Sequence, residues 1–302
     1  MKISRRYTTP NINPLDQVEY TKRTSVITNP DGSEVFRMDN VEVPKSWSQL
    51  ATDIVVSKYF RKGGVPKTEH ETSVKQVVHR IANTIRQAGE DFGNYFDSTE
   101  DADAFEAELA YHLVHQKGAF NSPVWFNCGL YHQYKIKGSG GSWYWDPKKD
   151  RILETKDAYT HPQCSACYIQ SVEDDMMSIF ELVKNEAWLF KYGSGTGSNF
   201  SKVRGNMEKL SGGGTSSGLM SFLEVFDRAA GATKSGGITR RAAKMVCLDM
   251  DHPEIVSFIN WKSNEEKKVA ALIAGGYSSD FNGEAYRTVS GQNSNNSVRI
   301  TD

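Results

Sequence analysis

Cysteine is scarce: four in 302 residues cannot staple a small secreted fold. A basic excess is missing as well. Lys and Arg number 36 against 37 Asp and Glu, so the formal net charge is −1, which argues against a dedicated nucleic-acid binder. No stretch comes near the roughly 18 apolar residues of a membrane span. Met1-Lys2-Ile3-Ser4-Arg5-Arg6-Tyr7 leads into no apolar run of the kind a secretory leader needs. There is no internal repeat and no low-complexity tail. These absences predict a cytoplasmic chain with no membrane and no nucleic-acid partner, whose thiols are chemical or buried rather than structural.

The length leaves room for two domains. Residues 1–65 are rich in Thr, Asn, Asp and Pro. They hold the extended run Ser25-Val26-Ile27-Thr28 and the turn Asn29-Pro30-Asp31-Gly32, in which Pro presets φ. This start is expected to wrap a larger body. Val74, Val77, Val78, Ile81 and Ile85 lie on one helical face, with Gly89 or Gly93 as its stop. Ser98 is placed to cap a second helix carrying Phe105, Leu109 and Leu113, so the two predict an αα-hairpin.

Residues 138–145 read as a Gly/Ser/Trp loop and 146–156 as a charged insertion. Residues 167–172 alternate as a strand. Asp174 and Asp175 cap a helix bearing Ile179, Leu182, Val183 and Phe190. The glycines of 193–197 close it, and 199–204 reads as the next strand. A glycine loop, 211–218, precedes a helix facing inward with Phe222, Val225, Phe226 and Ala229. Residues 245–248 form a buried strand. Two helices are expected after it, one through Trp261 and one over 265–274. This βαβ grammar predicts a largely parallel α/β sheet. The domain border falls at 117/118, dividing an extended and helical region (1–117) from an α/β region (118–302).

Cys164-Ser165-Ala166-Cys167 by itself fits half a zinc site, a thioredoxin-type pair or two buried thiols. Zinc needs a second pair, and neither Cys128 nor Cys247 belongs to one. A thioredoxin pair opens a helix, whereas this motif enters a strand, where residues i and i+3 face opposite sides. Cys164 and Cys167 are therefore not expected to bond to each other, and Cys167 shares a face with Ser165 and Ile169. Three glycine stretches (193–197, 211–218 and 234–237) match neither a dinucleotide fingerprint nor a P-loop. With Lys202, Arg204, Lys234, Arg240 and Arg241 beside them, they suit phosphate oxygens. His112 and His115 have no carboxylate cluster nearby and read as surface histidines, and no metal site is expected. Trp125, Phe126, Trp143, Tyr144 and Trp145 read as core.

Several segments, in order, resemble the cobalamin-dependent (class II) ribonucleotide reductases of the large bacterial type. They begin with Phe120-Asn121-Ser122-Pro123-Val124-Trp125-Phe126-Asn127, Gln163-Cys164-Ser165-Ala166-Cys167-Tyr168-Ile169 and Gly193-Ser194-Gly195-Thr196-Gly197. They continue with Lys234-Ser235-Gly236-Gly237-Ile238-Thr239-Arg240-Arg241, Asp249-Met250-Asp251-His252-Pro253 and Asn293-Ser294-Asn295-Asn296-Ser297-Val298-Arg299. The resemblance implies a ten-stranded α/β barrel of two parallel half-sheets, of which this chain holds the first part, after a mostly helical N-terminal region. It implies adenosylcobalamin as the source of a thiyl radical, which takes the 3′ hydrogen of a ribonucleotide. The 2′ hydroxyl leaves as water, and two barrel cysteines supply the electrons. It also implies a ribonucleoside-diphosphate reductase with a diphosphate substrate, a deoxynucleoside triphosphate effector, a thioredoxin-type reductant and a homodimer.

Carried onto this sequence, the resemblance makes Cys167 one member of the reducing pair, the catalytic residue of this chain. It assigns Ser122, Ala166, Cys167 and Gly195 to substrate and Asp175, Ser178, Ile179 and Arg204 to effector. Lys234, Ser235, Gly236, Gly237, Arg240 and Arg241 fall in the specificity loop, and Cys164 receives no role. The family's Asn-Pro-Cys-x-Glu radical motif is absent before Asp302. The chain is therefore expected to be an N-terminal half or a fragment, inactive without a downstream half that carries the radical cysteine and most of the cobalamin surface. Two other readings stand beside this one: a non-catalytic nucleotide-binding regulatory module of the same family, and an unrelated thiol oxidoreductase using Cys164 and Cys167.

Overall fold

Residues 1–28, 32–233, 242, 244–281 and 283–301 are described by the structure, a computed structural model. They divide into two units, Met1–Ser165 and Ala166–Asp302. Residues 118–165, grouped by sequence with the α/β region, lie in the first unit.

In the first unit, strands β1 (Tyr20–Thr28) and β2 (Glu34–Pro44) pair antiparallel, with a register shift between Arg23 and Ser25. The turn expected at 29–31 lies outside the described residues. Helix α1 (Gln49–Ile54) runs into a single π turn, Val55–Tyr59. Helix α2 (Val74–Gly93) buries the face its spacing predicts: Val74, Val77, Val78 and Ile81 are almost wholly excluded from solvent. It opens on a capping box. Ser73 Oγ accepts from Lys75 N, and Gln76 Oε1 accepts from Ser73 N. It closes on Asn94 in the left-handed region, with Gly89 and Gly93 still helical. Helix α3 (Thr99–Val114) starts at Ser98 as expected and packs along α2, where Asn83 and Arg86 both reach Glu106. The N-terminal segment wraps α3. One oxygen of Glu108 accepts from the backbone N–H groups of Arg6, Tyr7 and Thr8 and from the Thr8 hydroxyl.

Helices α4 (Ser122–Asn127) and α5 (Leu130–Tyr134) are joined by Cys128 and Gly129. Gly129 has φ 82°, and a Cβ there would sit 2.5 Å from the carbonyl oxygen of Arg80, so only glycine fits. Below it lies the hub of the unit. Arg80 and Glu71 are both buried and pair at 2.7 Å. Arg80 also donates to the carbonyls of Cys128 (2.7 Å) and Trp125 (2.8 Å), while Glu71 accepts from Tyr134 Oη and Arg61 N. Four segments of chain thus meet on one satisfied ion pair.

Residues 138–156 hold more order than the expected loop and insertion. Strands β3 (Trp143–Asp146) and β4 (Arg151–Glu154) form a hairpin. Asp146 Oδ1 collects Lys148 N and Lys149 N at its turn. The alternation is too short to register as a strand pattern. Tyr144 stacks on His161 at 3.5 Å, but Trp143 and Trp145 are more than half exposed and are not core.

The second unit is a four-stranded parallel sheet in the order β5-β6-β7-β8, namely Cys167–Ser171, Gly195–Asn199, Lys244–Asp249 and Ser294–Arg299. Helices α6 (Met176–Lys191), α7 (Leu219–Ala232), α8 (Ile255–Ala274) and α9 (Glu284–Thr288) lie between them. Because neighbours in the sheet are neighbours in sequence, right-handed crossovers stack the helices on one face. Val246 and Leu248 turn to that face and meet Phe200, Phe226 and Phe258 in one core. This is the α/β, parallel-sheet architecture expected of the first part of the barrel.

Three local expectations are corrected. The second strand is β6, through the glycines, rather than 199–204. Only Gly193 makes the turn (φ 84°), while Gly195 and Gly197 sit in the ladder between β5 and β7. The two helices expected at 252–274 are one, α8, because Phe258, Trp261, Glu265 and Val269 continue a single buried stripe. Helix α7 turns inward with Leu219, Leu223, Phe226 and Ala230, leaving Val225 exposed.

Replacing Arg80 by Met would leave the Glu71 carboxylate buried without its counter-charge, a loss of about 3–5 kcal/mol. Urea unfolding of Arg80→Met should show a midpoint lowered accordingly; a shift below ~1 kcal/mol would mean the ion pair is not the hub of the unit.

Candidate functional site

Helices cover one face of the β5–β8 sheet, and the other face is bare. On β5 the bare face carries Cys167, Ile169 and Ser171, and Ile169 is 94% exposed. Across the ladder, Ile169 lies level with Gly197, Met245 and Asn295, and Ser171 lies level with Asn199, Cys247 and Ser297. Glycine at 195 and 197 keeps the strand beside Cys167 free of side chains. Cys167 pairs in register with Gly195, whose N–H donates to the Ala166 carbonyl at 2.5 Å. Ala166, Cys167 and Gly195, three of the residues expected to hold substrate, therefore meet where β5 and β6 begin. Ser122 lies in the first unit at the start of α4, its Oγ 3.1 Å from Tyr59 Oη.

The residues expected to hold effector gather at the opposite end of these strands. Asp175 caps α6, its Oδ1 accepting from the N–H groups of Met177 and Ser178, and Ser178 Oγ accepts from Glu173 N. Ile179 is buried in the core. Arg204 Nε donates to Asp174 Oδ2 at 2.6 Å, next to the Asp175 cap. Lys202 pairs with Glu173, and Arg299 with Asp249. The Arg299 hydrogen bond holds the Asp249 carboxyl below its ordinary range. A five-residue strand at ~3.3 Å per residue separates this charged belt from Cys167 by roughly 15 Å. The loop 234–241, expected beside Arg204, lies outside the described residues; the strand before Arg204 is β6 rather than 199–204. Lys234, Ser235, Gly236, Gly237, Arg240 and Arg241 themselves lie outside the described residues.

The thiols do not sort by the C-x-x-C spacing. Cys164 is exposed and its sulfur partner is Cys128, which is buried. The Cys128 thiol donates to the Cys164 sulfur. That bond, with burial, pushes the Cys128 thiol up, and the same bond draws the Cys164 thiol down. No sequence signal joins these two positions.

Among the described residues, no three His, Cys, Asp or Glu side chains are grouped to hold a metal ion, and no helix is long and apolar enough to cross a membrane. A corrinoid would need a broad cradle with polar donors at its rim. The hollow of about 230 Å³ between β5 and α6, lined by Tyr168, Ile169, Gln170, Asn185, Trp188 and Leu189, is too small and too open for one. That hollow is not a cobalamin site.

The one-sided parallel sheet with a thiol at the start of its first strand is that of a ribonucleotide reductase barrel, and the barrel-domain model of ribonucleotide reductase matches residues 165–302. The model described as class II vitamin B12-dependent ribonucleotide reductase matches residues 21–116. Relatives named vitamin B12-dependent ribonucleotide reductase are similar along nearly all of the chain. That of Rhodopirellula baltica is 50% identical over 96% of this chain and 28% of its own length. That of Agrobacterium fabrum is 43% identical over 100% of this chain and 32% of its own. A protein of Thermoplasma acidophilum named vitamin B12-dependent ribonucleoside-diphosphate reductase is 40% identical over 39% of this chain and 16% of its own length. The chain belongs to the class II, vitamin B12-dependent ribonucleotide reductase family, and it spans about three tenths of the length of the first two relatives.

Lys244 escapes notice in the sequence because it looks like one more cation beside a basic loop. It opens β7 with its side chain under the sheet, 1% exposed, 2.9 Å from Glu186 Oε2 and 3.7 Å from the centre of the Phe226 ring. Burial pushes Lys244 down to about 8 and Glu186 up, so for both groups desolvation outweighs the pairing. Between about pH 8 and the ordinary lysine value of 10.5, the unfolded chain holds a proton that folded Lys244 has released. Stability from this group therefore rises with pH across that window. Lys62, also pushed down by burial to about 8, acts in the same sense and stays in place in a Lys244 variant. The raised Cys128 thiol acts in the opposite sense in both proteins, so the comparison carries the test: from pH 8 to 10 the melting temperature should change less favourably in Lys244→Met than in wild type, and identical slopes would place Lys244 in water.

Proposed function

We propose that this chain supplies the first strands of a ribonucleotide reductase barrel and one of its two reducing thiols. Family membership and one observation support the reading: Cys167 opens β5 on the bare face of the sheet, level with Gly195, a position that carries no side chain. The reaction replaces the 2′ hydroxyl of a ribonucleotide by hydrogen. Two thiols, Cys167 and one outside these residues, give up two electrons and become a disulfide as the hydroxyl leaves as water. A thioredoxin-type dithiol then returns the pair to thiols. Adenosylcobalamin supplies the initiating radical when bound, and the rest of the enzyme, rather than the residues described here, holds it.

Ser122, the Ala166-Cys167 backbone and Gly195 hold the substrate, a ribonucleoside diphosphate in keeping with the name of the Thermoplasma relative. Asp175, Ser178, Ile179 and Arg204 form the effector site for a deoxynucleoside triphosphate, in a homodimer. Residues 234–241 couple base choice to that site.

In an enzyme that joins this chain to the remaining length found in its relatives, Cys167→Ser should abolish multiple turnover with reductant while leaving effector binding intact. Cys164→Ser should keep turnover within about threefold of wild type, its thiol lying outside the reducing pair. Equal loss from both substitutions rejects the assignment.

The Arg204 guanidinium is only a third exposed and is aligned by Asp174, which readies it for a phosphate oxygen. A charge-assisted hydrogen bond is worth roughly 1.5–3 kcal/mol. Arg204→Ala should therefore weaken deoxynucleoside triphosphate binding about tenfold or more in calorimetric titration of the same enzyme. Unchanged affinity would leave Arg204 as the partner of Asp174 and nothing more.

A further inference from the structure

The two thiols of the first unit serve no step of the reduction, yet they are held together from both sides. Cys128 is 3% exposed and follows α4 directly. Its carbonyl accepts from Arg80 Nη1, and Gly129 behind it is locked against the Arg80 carbonyl. Asn127 Nδ2 donates to the Gln163 carbonyl at 3.0 Å, tying the residue before one cysteine to the residue before the other. The thiol–thiol hydrogen bond lies between these anchors. The pair is asymmetric. Cys164 is exposed and Cys128 buried, and the hydrogen bond between them draws the Cys164 thiol down and pushes the Cys128 thiol up. An exposed attacking thiol backed by a buried resolving one is the arrangement thiol–disulfide exchange requires.

We propose that Cys128 and Cys164 are a thiol-oxidation site that closes a reversible disulfide by exchange with low-molecular-weight disulfides. The Cys164 thiolate attacks one sulfur of the small disulfide, forming a mixed disulfide and expelling one small thiolate. Cys128 sulfur then attacks Cys164 sulfur, breaking the mixed bond. The second small thiol leaves with the proton from Cys128. Two protein thiols are oxidised and one small disulfide is reduced to two thiols. The new bond closes a loop over α5 and the β3–β4 hairpin and fixes the chain just before β5. This site stands on the geometry of the first unit alone, whether or not the reductase reading holds.

The test is oxidation of the chain with glutathione disulfide, alkylation of remaining thiols, and mass spectrometry of a non-reduced tryptic digest. In wild type and in Cys167→Ser, peptide 118–135 should be joined to peptide 157–184. In Cys164→Ser the join should vanish, and in Cys128→Ala Cys164 should stop at the glutathione adduct. The oxidised wild type should also melt about 5 °C or more above the reduced form, since the bond removes freedom from the unfolded chain. A join that survives Cys164→Ser, or wild type in which Cys128 is alkylated while Cys164 keeps glutathione, overturns the proposal. Fragment-ion sequencing of the wild-type join, which assigns the partner of Cys128 to Cys164 or to Cys167 within peptide 157–184, decides even if a variant fails to fold: a bond to Cys167 overturns the proposal.

Discussion

Every crossover in Ala166–Asp302 joins a strand to its immediate neighbour, and that constraint governs which side chains of the sheet are buried and which stay open. A right-handed connection that always steps the same way puts each helix on the same side. Val246 and Leu248 can then be buried, and Ile169 cannot. A doubly wound sheet, which reverses direction once, would have covered Cys167. The bare face is the price of single winding, and it holds Cys167 with Gly195 and Gly197 beside it.

The two units treat buried charge differently. Arg80 and Glu71 direct their donors and acceptors to one another, to two carbonyls, a backbone amide and a tyrosine hydroxyl. Such a pair fixes geometry, since each partner offsets its desolvation only in one arrangement. Lys244 and Glu186 are less complete: Glu186 Oε1 and the nearby strand residue Ser198 Oγ have no hydrogen-bond partner. The first pair organises α2, α4 and α5, whereas the second sits under β7 at a cost that its pairing does not fully offset.

Legibility in the sequence tracks the simplicity of the local signal. Helix α2 is readable because its buried face is all aliphatic, and Ser98 and Asp175 because capping is written in one or two residues. Strand β5 alternates and reads as a strand. Helix α8 reads as two because Glu265, a charge, occupies its buried stripe; its carboxylate accepts from Ser290 N, a partner 25 residues away that no local pattern displays. Strand β6 is misplaced by a sequence reading because glycine ordinarily signals a turn, and here Gly195 pairs with Cys167 while Gly197 pairs with both Ile169 and Met245. The meeting of Ala166, Cys167 and Gly195 is implicit in the parallel pattern, but the Cys128–Cys164 pair depends on how α4 seats over Arg80, which spacing does not encode.

The ends of the strands separate two kinds of chemistry. Cys167 and Gly195 stand where β5 and β6 begin, while Asp175 and Arg204 stand beyond where they finish, so no single side chain of this sheet touches both sets. Strand β7 begins at Lys244, whose register partner Thr196 lies at the Cys167 end. Residues 172–175 and 200–204 make the belt at the other. The belt and the thiol are therefore held apart by the sheet itself, one at each end of β5 and β6.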